Sequence, residues 1–480
     1  MKTKNILTAL IFVLVSMLIY CFHLKSSLFY HPDFARDMHE ILRISQGKIV
    51  WLGPKLTFGG LYLGPYYFYL YVPAYIFSHG SIISVHFFNA LLFACAIGYF
   101  FYKVVEQKKY FEGVFFPLIL LFLPMFVTGA RNPSNAYSFV PLFLFFLTYL
   151  YFAKSLKTVS LAVLGFLYGV IINFHFINVV FFPAVFAYLW WKVKDKKQLI
   201  FFLAGIAVSF LPLIIFEIKH HFIMFKNTFI EKSYVKWLTN TNIPNGLAGK
   251  KNVLANIWFL SENMKGYLLI NPLFIYFLLG VFFYFKKPEV KTKIIYFGSL
   301  VTLVLTALIL RFQFIPHYLF GLSFFLFFNA LILFLSLKID VFKKILISLF
   351  LIYELITFWK TPYVPSWRTP ERFEKAVNYV IKNHLVSKTN FNIIQITKQN
   401  LLATLGFEYR YFFRKNGYQP DSEFLYNQSR ELVIFSEIPY QDISQFNSWE
   451  AEQFGKKYFK KAKSYKLPEV TIFILQKSGE

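Results

Sequence analysis

The stretch HPDFARDMHEIL, residues 31–42, sets Asp33, Arg36, Asp37, His39 and Glu40 close together just after the first apolar segment. Acids are scarce in this chain. Of 24 Asp and Glu, twelve follow residue 360, and three of the other twelve lie in 33–40. A carboxylate so placed can take a proton from a nucleophile or orient it, and an Arg three positions on can hold an anion. The plainer reading is that Asp33, after Pro32, caps the helix ARDMHEILRISQG in a polar loop that simply carries charge. Asp37 lies about one helical turn from Asp33. It is either a second acid for an acceptor or a metal, or an ion-pair partner of Arg36 or Arg43. His39 and Glu40 read as solvated positions. Asp33, Asp37 and His39 are chemically suited to a divalent ion, but their spacing fixes no such site, and metal dependence is left open.

Three further places hold candidates. Arg131 in TGARNPSNAY has Asn132 and Asn135 beside it, residues able to bind sugar hydroxyls. Arg311 in ILRFQFIPHYL has Gln313, His317 and Tyr318 nearby, and His175 stands in INFHFIN. Each has a bland counterpart, because a single Arg at the end of a span often snorkels to the headgroups and a lone His is often a structural hydrogen-bonder.

The elements that must position these residues are set by composition. The chain is 57% hydrophobic and 22% aromatic, with 64 Phe among 480 residues. That is too apolar for a soluble globular protein and fits a polytopic α-helical membrane protein. A net charge of +26 would suggest nucleic acid in a soluble chain. Here the basic residues punctuate apolar runs, where they act as topology signals and lipid contacts, so no nucleic-acid partner is expected. Cys21 and Cys95 both lie in apolar runs and give neither a disulfide framework nor a thiolate site. The N-terminal apolar run is long and has no small-residue cleavage site, so it reads as an uncleaved anchor.

Eleven apolar segments suited to ~30 Å of hydrocarbon lie at roughly 5–22, 82–102, 110–128, 136–153, 158–173, 177–191, 198–217, 267–285, 293–310, 317–337 and 344–359. Lys-rich loops such as KVVEQKK, KVKDKK and KKPEVKTK fall at every second connection and are cytoplasmic by the positive-inside rule. With MKTK also inside, the expected protein is multi-pass in the plasma (inner) membrane, with its N-terminus cytoplasmic and its C-terminus outside. Loops 23–81 and 218–266 then face outward. Residues 64–80 are apolar but short and carry Pro65 and Pro73, so they read as an interfacial or re-entrant helix. Taking all of 1–360 as one membrane domain leaves 361–480, where strand-length runs FNIIQIT, ELVIFSE and VTIFILQK alternate with helical patterns, as a small extracytoplasmic α/β domain.

The acid–Arg–acid cluster followed by QGKIVWLGPKLTFGGLYLGPYYFYL resembles the first external loop of GT-C glycosyltransferases, the polytopic enzymes that use polyprenyl-phosphate sugars. It is most similar to the group of protein O-mannosyltransferases, the lipid A aminoarabinose transferase and Rgt-type enzymes. Asp33 and Arg36 match that group's Asp-x-x-Arg, and Gly47, Pro54 and Gly64-Pro65 match its later landmarks. The motif match covers about 31–75 and the architecture 1–360. One departure is clear: LYLGPYY lacks the second acid and the Lys that the aminoarabinose-transferase type places before its Pro. Phosphate binding then falls to Lys55 or to arginines elsewhere.

The resemblance implies transfer of a sugar from a polyprenyl phosphate to an extracytoplasmic acceptor, whether glycolipid, cell-envelope polysaccharide or protein. Attack of the acceptor on the sugar's C1 needs a carboxylate to take or orient its proton, with inversion, and Asp33 is the expected base with Asp37 beside it. The departing phosphate needs fixed cations, for which Arg36, Arg131, Arg311 and Lys55 are the candidates. Tyr62, Asn132, His175, His317 and Tyr318 are the candidates for substrate contact. Loop 218–266 is basic and aromatic, suited to covering a donor or to binding headgroups. No P-loop, GxGxxG, HExxH, CxxC or GxSxG stands in a credible context. The competing readings are a transporter or lipid flippase, which would carry charges in mid-span or half-to-half symmetry, and a scaffold whose terminal domain binds a partner.

Overall fold

The computed structural model describes residues 2–56, 60–233, 235, 246–337, 341–360, 363–397, 405–438 and 442–477. Part of loop 218–266 (234 and 236–245) and the junction at 361–362 lie outside the described residues. The chain folds into two compact units. The first comprises Met1–Phe22, Val50–Ala74 and Ile83–Pro362, and the second His23–Ile49, Tyr75–Ile82 and Tyr363–Glu480.

The first unit is a bundle of apolar helices. Among the described residues, five are long and apolar enough to cross a membrane: Thr3–Cys21, Ile82–Glu106, Asn135–Phe152, Val290–Ile309 and Pro316–Ser336. Three bent pairs raise the number to eight if each is one span, and two shorter apolar helices are Thr158–Phe174 and Phe176–Lys192. Several of the straight spans expected from hydropathy are therefore broken. The segment around 110–128 divides into Tyr110–Phe122 and Pro124–Arg131 at 60°, that around 198–217 into Lys196–Ser209 and Leu211–Lys219 at 50°, and Val253–Leu268 turns 102° into Pro272–Phe285. Each second helix starts with Pro at its first or second position, where proline fits a helix start but cannot continue a preceding one. Residues 66–77 form a continuous helix with Pro73 inside it, about 18 Å long and so too short to span.

Pro316–Ser336 is hydrophobic all round and is 89% buried over its apolar window, whereas Thr3–Cys21 is 11% buried. The former is therefore the core helix and the latter presents its surface outward. The core is aromatic: the Phe143 ring lies within 6.1 Å of those of Phe146, Phe181, Phe324 and Phe325. Two helices cross in backbone contact, because a Cβ on Gly165 would fall 1.9 Å from the Phe202 carbonyl oxygen. That closeness is open only to glycine, and Gly165 and Gly169 form a small-x-x-x-small pair.

The second unit is built on a four-stranded mixed sheet. Phe391–Ile396 pairs in parallel with Glu431–Ser436, which pairs antiparallel with Thr471–Gln476, which in turn pairs antiparallel with Lys463–Lys466 at the edge. The expected three strands are present, and the fourth comes from the Lys-rich stretch before the last. The helix Pro32–Ser45 belongs here, although the sequence reading gives it to a loop of the membrane domain. Its apolar stripe of Phe34, Ala35, Met38, Ile41 and Leu42 is buried, and it packs on the helix Phe407–Lys415.

One guanidinium ties this unit together. Arg368 is fully buried and donates to both Glu437 oxygens at 2.7 and 2.8 Å and to Glu408. Its carbonyl accepts the Tyr30 N–H at 2.8 Å, and the Phe373 ring lies 4.8 Å from its charge. Gln395 donates to Glu437 at 2.8 Å. One cation faces two buried carboxylates, so burial pushes the Glu408 carboxyl up to about 7 despite Arg368, with Glu437 adding repulsion.

Removing the cation leaves those carboxylates uncompensated, so Arg368→Ala should cost about 3–5 kcal/mol, measured by thermal unfolding in detergent. The sign for Glu408 follows from its raised value. As pH rises from about 4.5 to about 7 the unfolded chain has lost that proton while the folded unit keeps it, so stability falls across the window. Glu408→Gln should flatten this decline in a pH series of unfolding midpoints.

Candidate functional site

The residues singled out in the sequence divide between the two units. Asp33, Arg36 and Asp37 lie in the second, on the helix Pro32–Ser45. Its N-cap is His31, whose Nδ1 accepts the Asp33 N–H at 3.1 Å, so Asp33 is not the cap but a first-turn residue behind Pro32. His31 Nδ1 is also 3.6 Å from the Asp33 carboxylate. A nitrogen that is accepting an N–H carries no proton, so this is not an ion pair; burial holds the His31 imidazole below its usual range.

Arg36 sits between two carboxylates of very different exposure. It donates from Nη1 to Asp33 Oδ1 at 3.2 Å, and from Nη2 and Nε to Asp37 Oδ1 at 3.1 and 3.3 Å. The Asp33 side chain is 68% exposed and that of Asp37 only 4%. Burial pushes the Asp37 carboxyl up to about 7, against the pull of Arg36 and with Asp33 adding repulsion. The helix thus carries a solvent-facing carboxylate and, one turn on, a buried carboxyl that changes charge near neutrality, joined by one cation.

His39 is buried rather than solvated. Its Nε2–H donates to the Phe407 carbonyl at 3.2 Å, and its Nδ1 accepts from Arg414 at 3.3 Å. Burial and the Arg414 charge keep it neutral, well below the usual histidine range. With both ring nitrogens spent, His39 does not complete a ligand set with Asp33 and Asp37, and no group of three or more potential metal ligands occurs among the described residues. Glu40 pairs with Arg43 at 2.8 Å on the helix surface.

The remaining candidates belong to the first unit, in loops that meet one another. Lys55 and Tyr62 face each other across an antiparallel bridge, flanked by bonds from Gly53 N–H to Leu63 O and from Leu63 N–H to Pro54 O. The hairpin ends at Gly64, where a Cβ would lie 2.2 Å from Asn173 Oδ1. Tyr67 donates to the Pro133 carbonyl at 2.8 Å, and Asn135 to the Phe174 carbonyl at 3.1 Å. These bonds join the hairpin, the 131–135 turn and the 173–178 turn. His175 follows, with its ring 4.8 Å from Tyr318 and 5.8 Å from His317. His175 is buried, and its Nδ1 has no hydrogen-bond partner among the described residues.

The two arginines differ. Arg131 donates from Nη1 to the Tyr20 and Phe22 carbonyls at 2.8 and 2.9 Å, placing its charge at the negative end of the first helix. Asn132 donates to the Thr128 carbonyl at 2.8 Å, closing its own helix. Arg311 is exposed, its guanidinium 4.9 Å from the Phe312 ring, and the short strand Gln313–Phe314 beside it pairs with Leu247–Ala248.

Several structural partners escaped the sequence reading. His86 Nδ1–H donates to the Arg131 carbonyl at 2.7 Å, and Asn89 donates to the Gly129 and Ala130 carbonyls at 2.8 and 2.9 Å. Two polar residues three apart in an otherwise apolar span were the signal, since they share one helix face. Arg368 and Arg414 gave no comparable signal, because their partners are distant in sequence.

No protein-family model matches the sequence, and a search of curated proteins found no match. The structure is similar to crystal structures of ArnT from Cupriavidus metallidurans, one bound to undecaprenyl phosphate and one in the apo state. The TM-scores are 0.60 and 0.59, at 11% identity, with 97% of each chain covered. An oligosaccharyltransferase from Archaeoglobus fulgidus, in complex with Zn and sulfate, matches at a TM-score of 0.46 and 13% identity over 88% of this chain and 67% of its own. At such identity the ArnT likeness is one of architecture, and the chain is a multi-pass membrane protein that shares the fold of those ArnT structures.

Proposed function

We propose that the protein is an integral-membrane glycosyltransferase that moves a sugar from a polyprenyl-phosphate donor to an acceptor outside the plasma membrane. The observation that carries this reading is the likeness over 97% of both chains to ArnT, whose structure holds undecaprenyl phosphate. Asp33 is the base. Its carboxylate is exposed, it keeps lone pairs beyond the one engaged by Arg36, and it stands in the Asp-x-x-Arg stretch that resembles GT-C enzymes.

In the step assigned to it, an acceptor oxygen attacks the sugar's C1 and gives its proton to Asp33. The bond from C1 to the phosphate oxygen breaks with inversion, and polyprenyl phosphate leaves. Arg36 beside Asp33 and, in the first unit, Arg311, Lys55 and Arg131 are the candidate cations for that phosphate; Arg131 already places Nη1 on two carbonyl oxygens and Arg36 donates to Asp33 and Asp37, whereas Arg311 is exposed. In the first unit His175, His317 and Tyr318, whose rings meet, are the candidates for contact with sugar or acceptor, with Tyr62 and Asn132 in adjoining loops. The acceptor side carries the C-terminal domain and faces away from the cytoplasm.

Asp33→Asn should insert and fold as wild type yet lose at least about a hundredfold of transfer activity, as removal of a general base does. Glu40→Gln should stay within about twofold; a fully active Asp33→Asn enzyme would remove the assignment. Below pH about 7 Asp37 is neutral and takes only hydrogen bonds from Arg36. Above it the Asp37 carboxylate draws on the charge of the same cation, which loosens the pairing of Arg36 with Asp33. Transfer rate should therefore rise through neutral pH, and Asp37→Asn should flatten the rise in a pH–rate profile. External protease added to intact right-side-out cells should cleave after residue 363, and full protection there would reverse the topology.

A further inference from the structure

The second unit carries its excess charge in one place. Over 363–480, outside 456–466, eleven Lys and Arg stand against twelve Asp and Glu. Within 456–466 the sequence KKYFKKAKSYK has six lysines and no acid. The structure sets them on one margin of the sheet. Lys456–Lys461 form a short 3-10 turn leading into the edge strand Lys463–Lys466, and all six lysines are exposed. Among the described residues, no carboxylate lies within salt-bridge distance of Lys456, Lys460, Lys461, Lys463 or Lys466. Asp442, whose charge is felt by Lys460, turns its oxygens to the Ser444 N–H and hydroxyl at 2.9 and 2.7 Å.

Lysines on an edge strand can serve simply to block strand addition. That accounts for Lys463 and Lys466, but not for the four that precede the strand. We propose that this lysine margin docks on anionic lipid headgroups of the bilayer. Charge complementarity selects a polyanion, and the tether selects which one. The first spanning helix ends at Cys21 and the second unit begins at His23, so the chain itself tethers this unit to a membrane span, which raises the effective concentration of headgroups for it. Phosphate-bearing headgroups concentrate negative potential within a Debye length of that surface, where clustered lysines bind. Aromatic side chains lie among the cations, with Tyr458 under Lys457 at 5.1 Å and Tyr465 half-buried in the strand, as suits contact at headgroup depth.

The test needs no activity and so stands apart from the proposed reaction. Full-length protein is placed in nanodiscs of phosphatidylcholine alone or with about 30% phosphatidylglycerol. Acylation of each lysine by an N-hydroxysuccinimide ester is then followed by mass spectrometry, with exposed Lys382 and Lys388 as references. Lys460, Lys461, Lys463 and Lys466 should react about fivefold more slowly relative to the references in the anionic discs, and about 0.5 M sodium chloride should restore the rate. Equal relative rates in both discs would overturn the proposal. So would slowing that appears only when soluble polyphosphate is added, which would assign the margin to a free polyanion.

Discussion

A guanidinium between two carboxylates of unequal exposure is the interaction on which the proposed chemistry depends. Arg36 reaches the exposed Asp33 and the buried Asp37 at nearly equal distances, 3.2 and 3.1 Å. Were both acids exposed, the pair would be a common surface cluster. Burial of Asp37 makes the difference, because its charge then depends on pH near neutrality and the share of Arg36 left to Asp33 varies with it. The helix Pro32–Ser45 that carries both acids packs on Phe407–Lys415, and this packing is pinned by the His39 bonds to Phe407 and Arg414.

The same logic extends through the second unit. Arg368 gathers Glu408 and Glu437 at one point and fixes Tyr30 through its own carbonyl. Glu408 follows Phe407, the residue whose carbonyl holds His39. The register of the helix that carries Asp33 is thus set by a segment 368 residues away in sequence. Buried ionic groups of this kind add little net stability over apolar packing, but they penalise alternative arrangements strongly because a broken pair leaves a charge without compensation.

Much of the architecture was legible in the sequence because it rests on local signals. Apolar runs, Lys-rich connections and strand-length segments near the C-terminus report directly on membrane and sheet. Asp33 and Arg36 were legible as a motif. The breaks at Pro124, Pro212 and Pro272 were present as prolines but hidden inside apolar runs, where hydropathy reads two short helices as one long one. The burial of Asp37 and His39 was not legible, since a helix's own sequence shows which residues share a face but not what covers it. For Arg131 the sequence offered an anion ligand or an anchor, and only the carbonyls of Tyr20 and Phe22 show where its Nη1 goes.

The proposed function rests on the use of a lipid-linked sugar by this fold. The most direct measurement incubates purified wild-type protein in nanodiscs with a panel of polyprenyl-phosphate sugars and follows the appearance of free polyprenyl phosphate. Release from one donor in the panel is the predicted result, and it names the sugar at the same time. Absence of both release and detectable binding for every donor would contradict the account and favour a transport or scaffold role.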